Sequence, residues 1–238
     1  MTILDRILVP IDLGPNTDSV VEAAAQIATA FNTRLRLLYV IEEVPHFPAA
    51  LGLLKQAAEE RLVKLHDGLV ARRVPCEPPM QVVGKPFDAI VRNADSANAQ
   101  LIVMGRGGRG EPAHPGLGTT TSRVMRRSAK PVLLISPRTT LPIRRILCPV
   151  DGSNPSARGL RNAIRLASEL KARLTVFTVI AEVTVPHGMA HHPPFTKLAA
   201  EYEQMEREQF DQFIKGFDFR DVAWDKEVHL GHPADEII

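Results

Sequence analysis

Two cysteines, Cys76 and Cys148, are all that this chain of 238 residues contains, and neither belongs to a CxxC pair. A disulfide framework and a structural zinc site therefore have nothing to build on, and the thiol usage fits a reducing cytoplasm. No run approaches the roughly 18 apolar residues that a membrane span requires. The opening "MTILDRILVPID" carries an acid and a base within its apolar stretch and lacks a small-residue cleavage site, so it reads as a first strand rather than a signal peptide. An excess of either charge is missing too, the formal net charge being +2. That excludes a strongly basic coat for nucleic acid and an acidic disordered tail. The expectation is a soluble cytoplasmic protein with neither nucleic acid nor membrane as partner. Its length suits two domains, by the rough prior of about 100 to 200 residues each.

What the chain does contain is a repeat. "RILVPIDLGPNTDSVVEAAAQIATAFNTRLRLLYVIEEV" from Arg6 aligns without a gap on "RILCPVDGSNPSARGLRNAIRLASELKARLTVFTVIAEV" from Arg145. Pro10 falls on Pro149, Asp12 on Asp151 and Val40 on Val179. Each copy opens with a short β-rich run and a turn rich in Gly, Pro, Asn and Ser. A helix with aliphatic residues at 3 and 4 spacing and a second apolar strand follow. Strands apolar at nearly every position and separated by helices imply an α/β fold with an open parallel sheet covered on both faces. The first copy continues with a helix near 49–73, a strand around 80–83, a helix over 86–97, the strand "LIVMG", a helix from Thr119 and the strand "PVLLIS". The expected domains are 1–140 and 141–238.

The second copy has its long helix near 196–215 and a strand near 222–230, where "LGHPADEII" echoes "VGKPFDAIV" of the first. It has no counterpart of residues 92–137. The expectation is a second domain lacking its last two strands, in a chain that continues beyond Ile238 in a longer protein, since such a half-domain leaves an open sheet edge and uncovered apolar surface.

Between Met104 and Thr119 stand six glycines, Gly105, Gly107, Gly108, Gly110, Gly116 and Gly118. No lysine follows any of them in the GxxxxGK[ST] register, so this is not a P-loop. Gly105-Arg106-Gly107-Gly108-Arg109-Gly110 matches GxGxxG literally. Yet Pro112 and Pro115 stand where that fingerprint opens a helix, and the acid due about 20 residues on is missing. The third spacing is Gly105-x2-Gly108, then "RGEPAHPGL", then Gly118-Thr119. In this the sequence resembles the ATP-binding branch of the universal stress protein family, whose motif is G-x2-G-x9-G-[S/T]. The resemblance extends over the first copy and what is present of the second.

It implies a strand order of 3-2-1-4-5 and ATP, with Mg²⁺ as its companion, bound in the first domain alone. The implied site is Pro10, Ile11 and Asp12 at the end of strand one, Val40 offering backbone to the adenine edge, and Met104 lining the base pocket. Gly105, Arg106, Gly108, Gly118, Thr119, Thr120 and Thr121 would surround the phosphates. Glycine backbone and a helix N-terminus suit an anion independently of any family. Asp12 has a second reading as a turn former in "DLGPNTD". Gly14 stands where the family carries serine, which the second copy keeps as Ser153. The implied role is a nucleotide-dependent stress regulator that pairs with a second copy, or copy against copy, and signals to a partner. Its rivals are an ATP-hydrolysing enzyme and a structural protein that binds no nucleotide.

Of the remaining candidates, Arg109, Arg123, Arg126 and Arg127 flank the loop and read mainly as solvated, with Arg106 favoured for phosphate. His114 reads as a loop residue. His187, His191 and His192 lie in a proline-flanked connector without metal-ligand spacing. Cys76 reads as a surface thiol, and Glu201, Glu203, Glu206 and Glu208 as a solvated helix face.

Overall fold

Strand β1 (Arg6–Ile11) is buried from Ile7 onward, as a strand covered on two faces must be. In this computed structural model, which describes residues 4–42, 48–107, 117–182 and 193–237, the chain divides into two units, Met1–Pro142 and Ile143–Ile238. In the first unit β1 leads to α1 (Thr17–Phe31), β2 (Arg34–Ile41), α2 (Pro48–Ala71), β3 (Met80–Val83) and α3 (Pro86–Ser96). There follow β4 (Leu101–Gly105), α4 (Thr119–Arg127) and β5 (Val132–Ile135). All strand pairs are parallel and the order is β3-β2-β1-β4-β5, the doubly wound α/β sheet that the alternation of strands and helices implies.

The strands divide their side chains between two cores with the period of two that a pleated strand imposes. Ile7, Val9 and Ile11 pack with Val20 and Ile27 of α1 and Leu62 and Leu69 of α2. Leu8 instead joins Leu38, Ile102 and Met104 beneath Ile90 of α3 and Val124 of α4. Helix ends follow local chemistry. Asn32 closes α1 in the left-handed region (φ 48°), its N–H donating to the carbonyls of Ala28 and Thr29. Pro86 begins α3, where its fixed φ suits a first turn and its missing N–H has no partner to lose.

The second unit repeats the opening: β6 (Arg145–Pro149), α5 (Asn154–Leu170), β7 (Arg173–Ile180), α6 (Pro193–Lys215), β8 (Trp224–Leu230) and α7 (Pro233–Ile237). Its parallel sheet is β6-β7-β8, the equivalent of β1-β2-β3 without the other two strands. One face carries a core built on Leu160, Ile164, Val176, Phe210 and Ile214. Strand β8 starts at Trp224 and not at Val222, whose N–H closes a turn onto the Phe219 carbonyl at 3.0 Å.

Cys76 departs from the surface thiol expected of it. It is half-buried, bridges to Leu35 of β2 and packs on the first core. Burial, reinforced by the Asp67 charge, holds its thiol above the ordinary value. No helix among the described residues is long and apolar enough to cross a membrane.

Candidate functional site

Adjacent strands β1 and β4 send their following helices to opposite faces of the sheet, α1 over one core and α4 over the other. Beyond their carboxyl ends the chain diverges and a crevice must open. A cleft of about 460 Å³ lies there, within the ~300–1,000 Å³ usual for small-ligand sites.

Pro10, Ile11 and Asp12 line it from β1, Val40 from β2, Met104 and Gly105 from β4, and Gly118, Thr119, Thr120 and Thr121 from the start of α4. Arg106 is exposed and its side chain is not among the lining. Its backbone holds the corner instead, N–H to the Ile135 carbonyl at 2.9 Å and carbonyl from the Gly118 N–H at 3.1 Å. Gly108, Arg109 and His114 fall outside the described residues, as do His187, His191 and His192.

The Asp12 carboxylate accepts the Gly14 N–H at 2.9 Å while also lining the cleft, so turn-forming and cleft-facing roles coincide in one side chain. The turn runs through Leu13, held at φ 58°, where the matching residue of the second unit is Gly152 at φ 76°. A β-carbon in that region costs about 1 kcal/mol, and Leu13 recovers packing against the first core.

The bare backbone beside β4 is not demanded by the packing of the described residues. A β-carbon on Gly105 would sit 3.6 Å from a Val20 methyl, an ordinary contact, and one on Gly107 would meet nothing among the described residues within 4 Å. What glycine leaves clear is approach to the backbone from the cleft. Helix α4 then begins at Gly118 with no side-chain cap among the described residues. Its first-turn N–H groups lack intrahelical partners, and the dipole there favours an anion. Buried Thr121 anchors the turn by donating its hydroxyl to the Gly105 carbonyl at 3.0 Å. Thr119 is exposed and Thr120 half-buried.

Arg123 and Arg127 do not face this corner. Both lie over the Phe87 ring, 5.2 and 5.1 Å from its centre, and brace α4 on α3. Sequence reasoning missed other parts of the lining: Asn16, Thr17 and Val20 of α1, Leu54 of α2, Ile90 of α3, and Glu42. The signal for the first two was the helix start in "GPNTD", read only as a turn.

The second unit places Asp151 and Val179 like Asp12 and Val40, but its described residues include no strand equivalent to β4. Asp151 accepts the Ser153 N–H at 3.0 Å. Hydrogen bonds from Ser153 foremost, then Ser156, bring its carboxyl down to about 2. Among the described residues no group of three or more His, Cys, Asp or Glu side chains could hold a metal.

The profile of the universal stress protein family matches residues 4–136 and again 142–238. A universal stress protein of Thermus aquaticus is 31% identical over 111 residues, 45% of this chain and 81% of that one. The solved universal stress protein UspA of Lactobacillus plantarum is 25% identical with a TM-score of 0.50, covering 56% of this chain and 97% of that one. A solved universal stress protein of Archaeoglobus fulgidus shares the fold at 19% identity and a TM-score of 0.69, covering 98% of this chain and 80% of the other.

Proposed function

We propose, from the premise that this chain belongs to the universal stress protein family, that its first unit binds ATP and acts as a nucleotide-dependent regulator of a stress response. One observation carries the reading. The backbone of Gly105 and Gly107 and the uncapped start of α4 meet in a single cleft whose other walls bear Asp12 and Val40. Phosphate needs donors without a competing carboxylate, and the α4 corner supplies them. Asp12 accepts hydroxyl hydrogen bonds from the ribose, while Met104 and the Val40 backbone take the adenine. Pro10 and Ile11 form the floor, Gly118, Thr119, Thr120 and Thr121 receive the phosphates, and Gly108 and Arg106 complete the motif around them. Mg²⁺ would be held chiefly by the phosphates, as that ion usually is beside nucleotides.

The described lining offers no histidine or lysine; of its two carboxylates, Asp12 accepts the Gly14 N–H and is assigned to the ribose, and Glu42 follows β2, two strands from the β4 corner that receives the phosphates. The cleft therefore suits retention of ATP with at most slow hydrolysis. The described residues of the second unit include no β4 equivalent, and the nucleotide is assigned to the first unit alone. Occupancy alters a surface that a signalling partner or a second copy reads.

The test is to denature the purified protein and assay released nucleotide, with labelled ATP titrated in parallel. Retention that Gly118→Val abolishes supports the reading. A cleft that takes no ATP favours a structural protein, and metal-dependent turnover far above buffer favours an enzyme.

A further inference from the structure

Resting on that nucleotide reading, we infer that Thr17, in the first turn of α1, supplies a second oxyanion contact: it hydrogen-bonds the phosphate nearest the ribose, so that the tail lies between the starts of α1 and α4. Thr17 lines the cleft. It is only 2% exposed, and its hydroxyl oxygen has no hydrogen-bond partner among the described residues. A buried hydroxyl without a partner is costly and rare enough in folded proteins to need a reason.

The second unit shows what the same position does when it serves the fold alone. There Ser156 donates its hydroxyl to the Ser153 carbonyl at 3.0 Å and receives the Asp151 N–H at 3.4 Å. The Ser153 hydroxyl in turn caps α5 through the Ser156 N–H at 3.3 Å. In the first unit Gly14 has no hydroxyl to give, and Asn16 at the helix start makes no side-chain cap. The Thr17 N–H closes onto the Gly14 carbonyl at 3.1 Å, and its hydroxyl is left over at the start of α1.

One turn further along, a Val20 methyl stands 3.6 Å from where a Gly105 side chain would begin, so this face of α1 adjoins the glycine wall. Helix polarity selects an anion over a ribose hydroxyl at that place, and Asp12 already suits the ribose. Asp18, the acid of the same turn, has Arg61 at 3.4 Å as counter-charge. The Thr17 oxygen is covered where it stands, so contact requires its alternative χ1 rotamer, one of the two that threonine populates in helices.

The experiment compares the unaltered protein with Thr17→Val and Thr17→Ser, titrating adenosine, AMP and ATP calorimetrically and recording thermal unfolding without ligand. The expected result is a loss of roughly 10-fold or more for AMP and ATP in Thr17→Val. Adenosine stays within about twofold, Thr17→Ser retains phosphate binding, and Thr17→Val unfolds at a higher temperature than the unaltered protein because a buried unpaired hydroxyl is gone. Thr17→Ala carries the same ligand comparison if the valine variant does not fold. Equal ATP affinity in Thr17→Val, or an equal loss for adenosine, overturns the inference while leaving the nucleotide reading intact. Failure of the unaltered protein to bind any of the three ends that reading and the inference with it.

Discussion

Leu8 and Leu147 hold the same place in the two copies, yet one is 1% exposed and the other 46%. The strands carrying them match closely in sequence, and both pair in parallel with the strand that follows. What differs is the cover. Leu8 lies beneath α3 and α4 in a core that includes β4, and the second sheet has no such strand among the described residues. The start of the helix behind each strand differs in the same sense. In the second unit Ser153, Ser156 and Asp151 satisfy one another. In the first, Gly14 gives its N–H to Asp12 and has no hydroxyl, and the Thr17 hydroxyl is left without a partner among the described residues beside a cleft. Both copies close the carboxylate turn, but one also closes its hydroxyls on itself and the other leaves the Thr17 hydroxyl open next to the glycine wall.

The largest effect comes from the covered strand. Leu8→Ala should cost about 2–5 kcal/mol through a cavity in a core that cannot collapse onto it, whereas Leu147→Ala should stay within about 0.5 kcal/mol, as exposed positions do. Hydrogen exchange of β1 and β6 amides reads each unit separately. An equal cost at both leucines would mean that the face of β6 is covered and the contrast between the units false.

The second effect sharpens the contrast at the carboxylates. Asp12→Ala should weaken ATP binding about 10-fold or more, the worth of a hydrogen bond to a charged group. Asp151→Ala should leave ATP affinity within about twofold, because no strand of the described second sheet carries a glycine wall toward it. Loss of ATP on altering Asp151 instead would place the nucleotide in the wrong unit.

The fold was legible because its signals are local or periodic: apolar strands, helices with 3 and 4 spacing, and a repeat that shows both twice. The strand-end residues of the cleft were legible for a related reason. Asp12, Met104 and Gly105 sit where strands stop, and a parallel sheet puts such residues along one edge. What the sequence could not show depends on partners far along the chain. Thr121 anchors on Gly105, Arg123 and Arg127 stack on Phe87, and Cys76 tucks against Leu35. Nor could it distinguish Thr17 from Ser156, since both are hydroxyl residues at a helix start and only the neighbouring backbone decides which has a partner.

A smaller effect belongs to the cap that one copy has and the other lacks. Ser153→Ala removes the side-chain acceptor from the start of α5 and should cost about 1 kcal/mol, the usual worth of a serine N-cap. Chemical denaturation followed by amide exchange in α5 measures it. An unchanged α5 would show that the Asn154-Pro155 entry fixes the helix without the hydroxyl.

The smallest effect is the pH dependence that this capped turn creates. Asp151 titrates at about 2, held below the ordinary carboxylate value of 3.8 foremost by hydrogen bonds from Ser153. A carboxyl whose folded value is depressed contributes stability that is fully present above its unfolded value and is lost as pH falls toward the folded one. The unfolded chain takes up the proton first, so the loss begins just below pH 4 and is complete near pH 2. Asp151→Asn should therefore make α5 less stable at pH 7 and bring the two proteins together as the solution is acidified through that window. The side chain is exposed, so the gap is smaller than that of the missing cap. A gap that stays constant from pH 7 to pH 3 would show that the turn is held by backbone geometry and not by charge. In that case the self-satisfied turn of the second unit would owe its order to Gly152 in the left-handed region, the conformation that Leu13 must adopt at a cost beside the cleft.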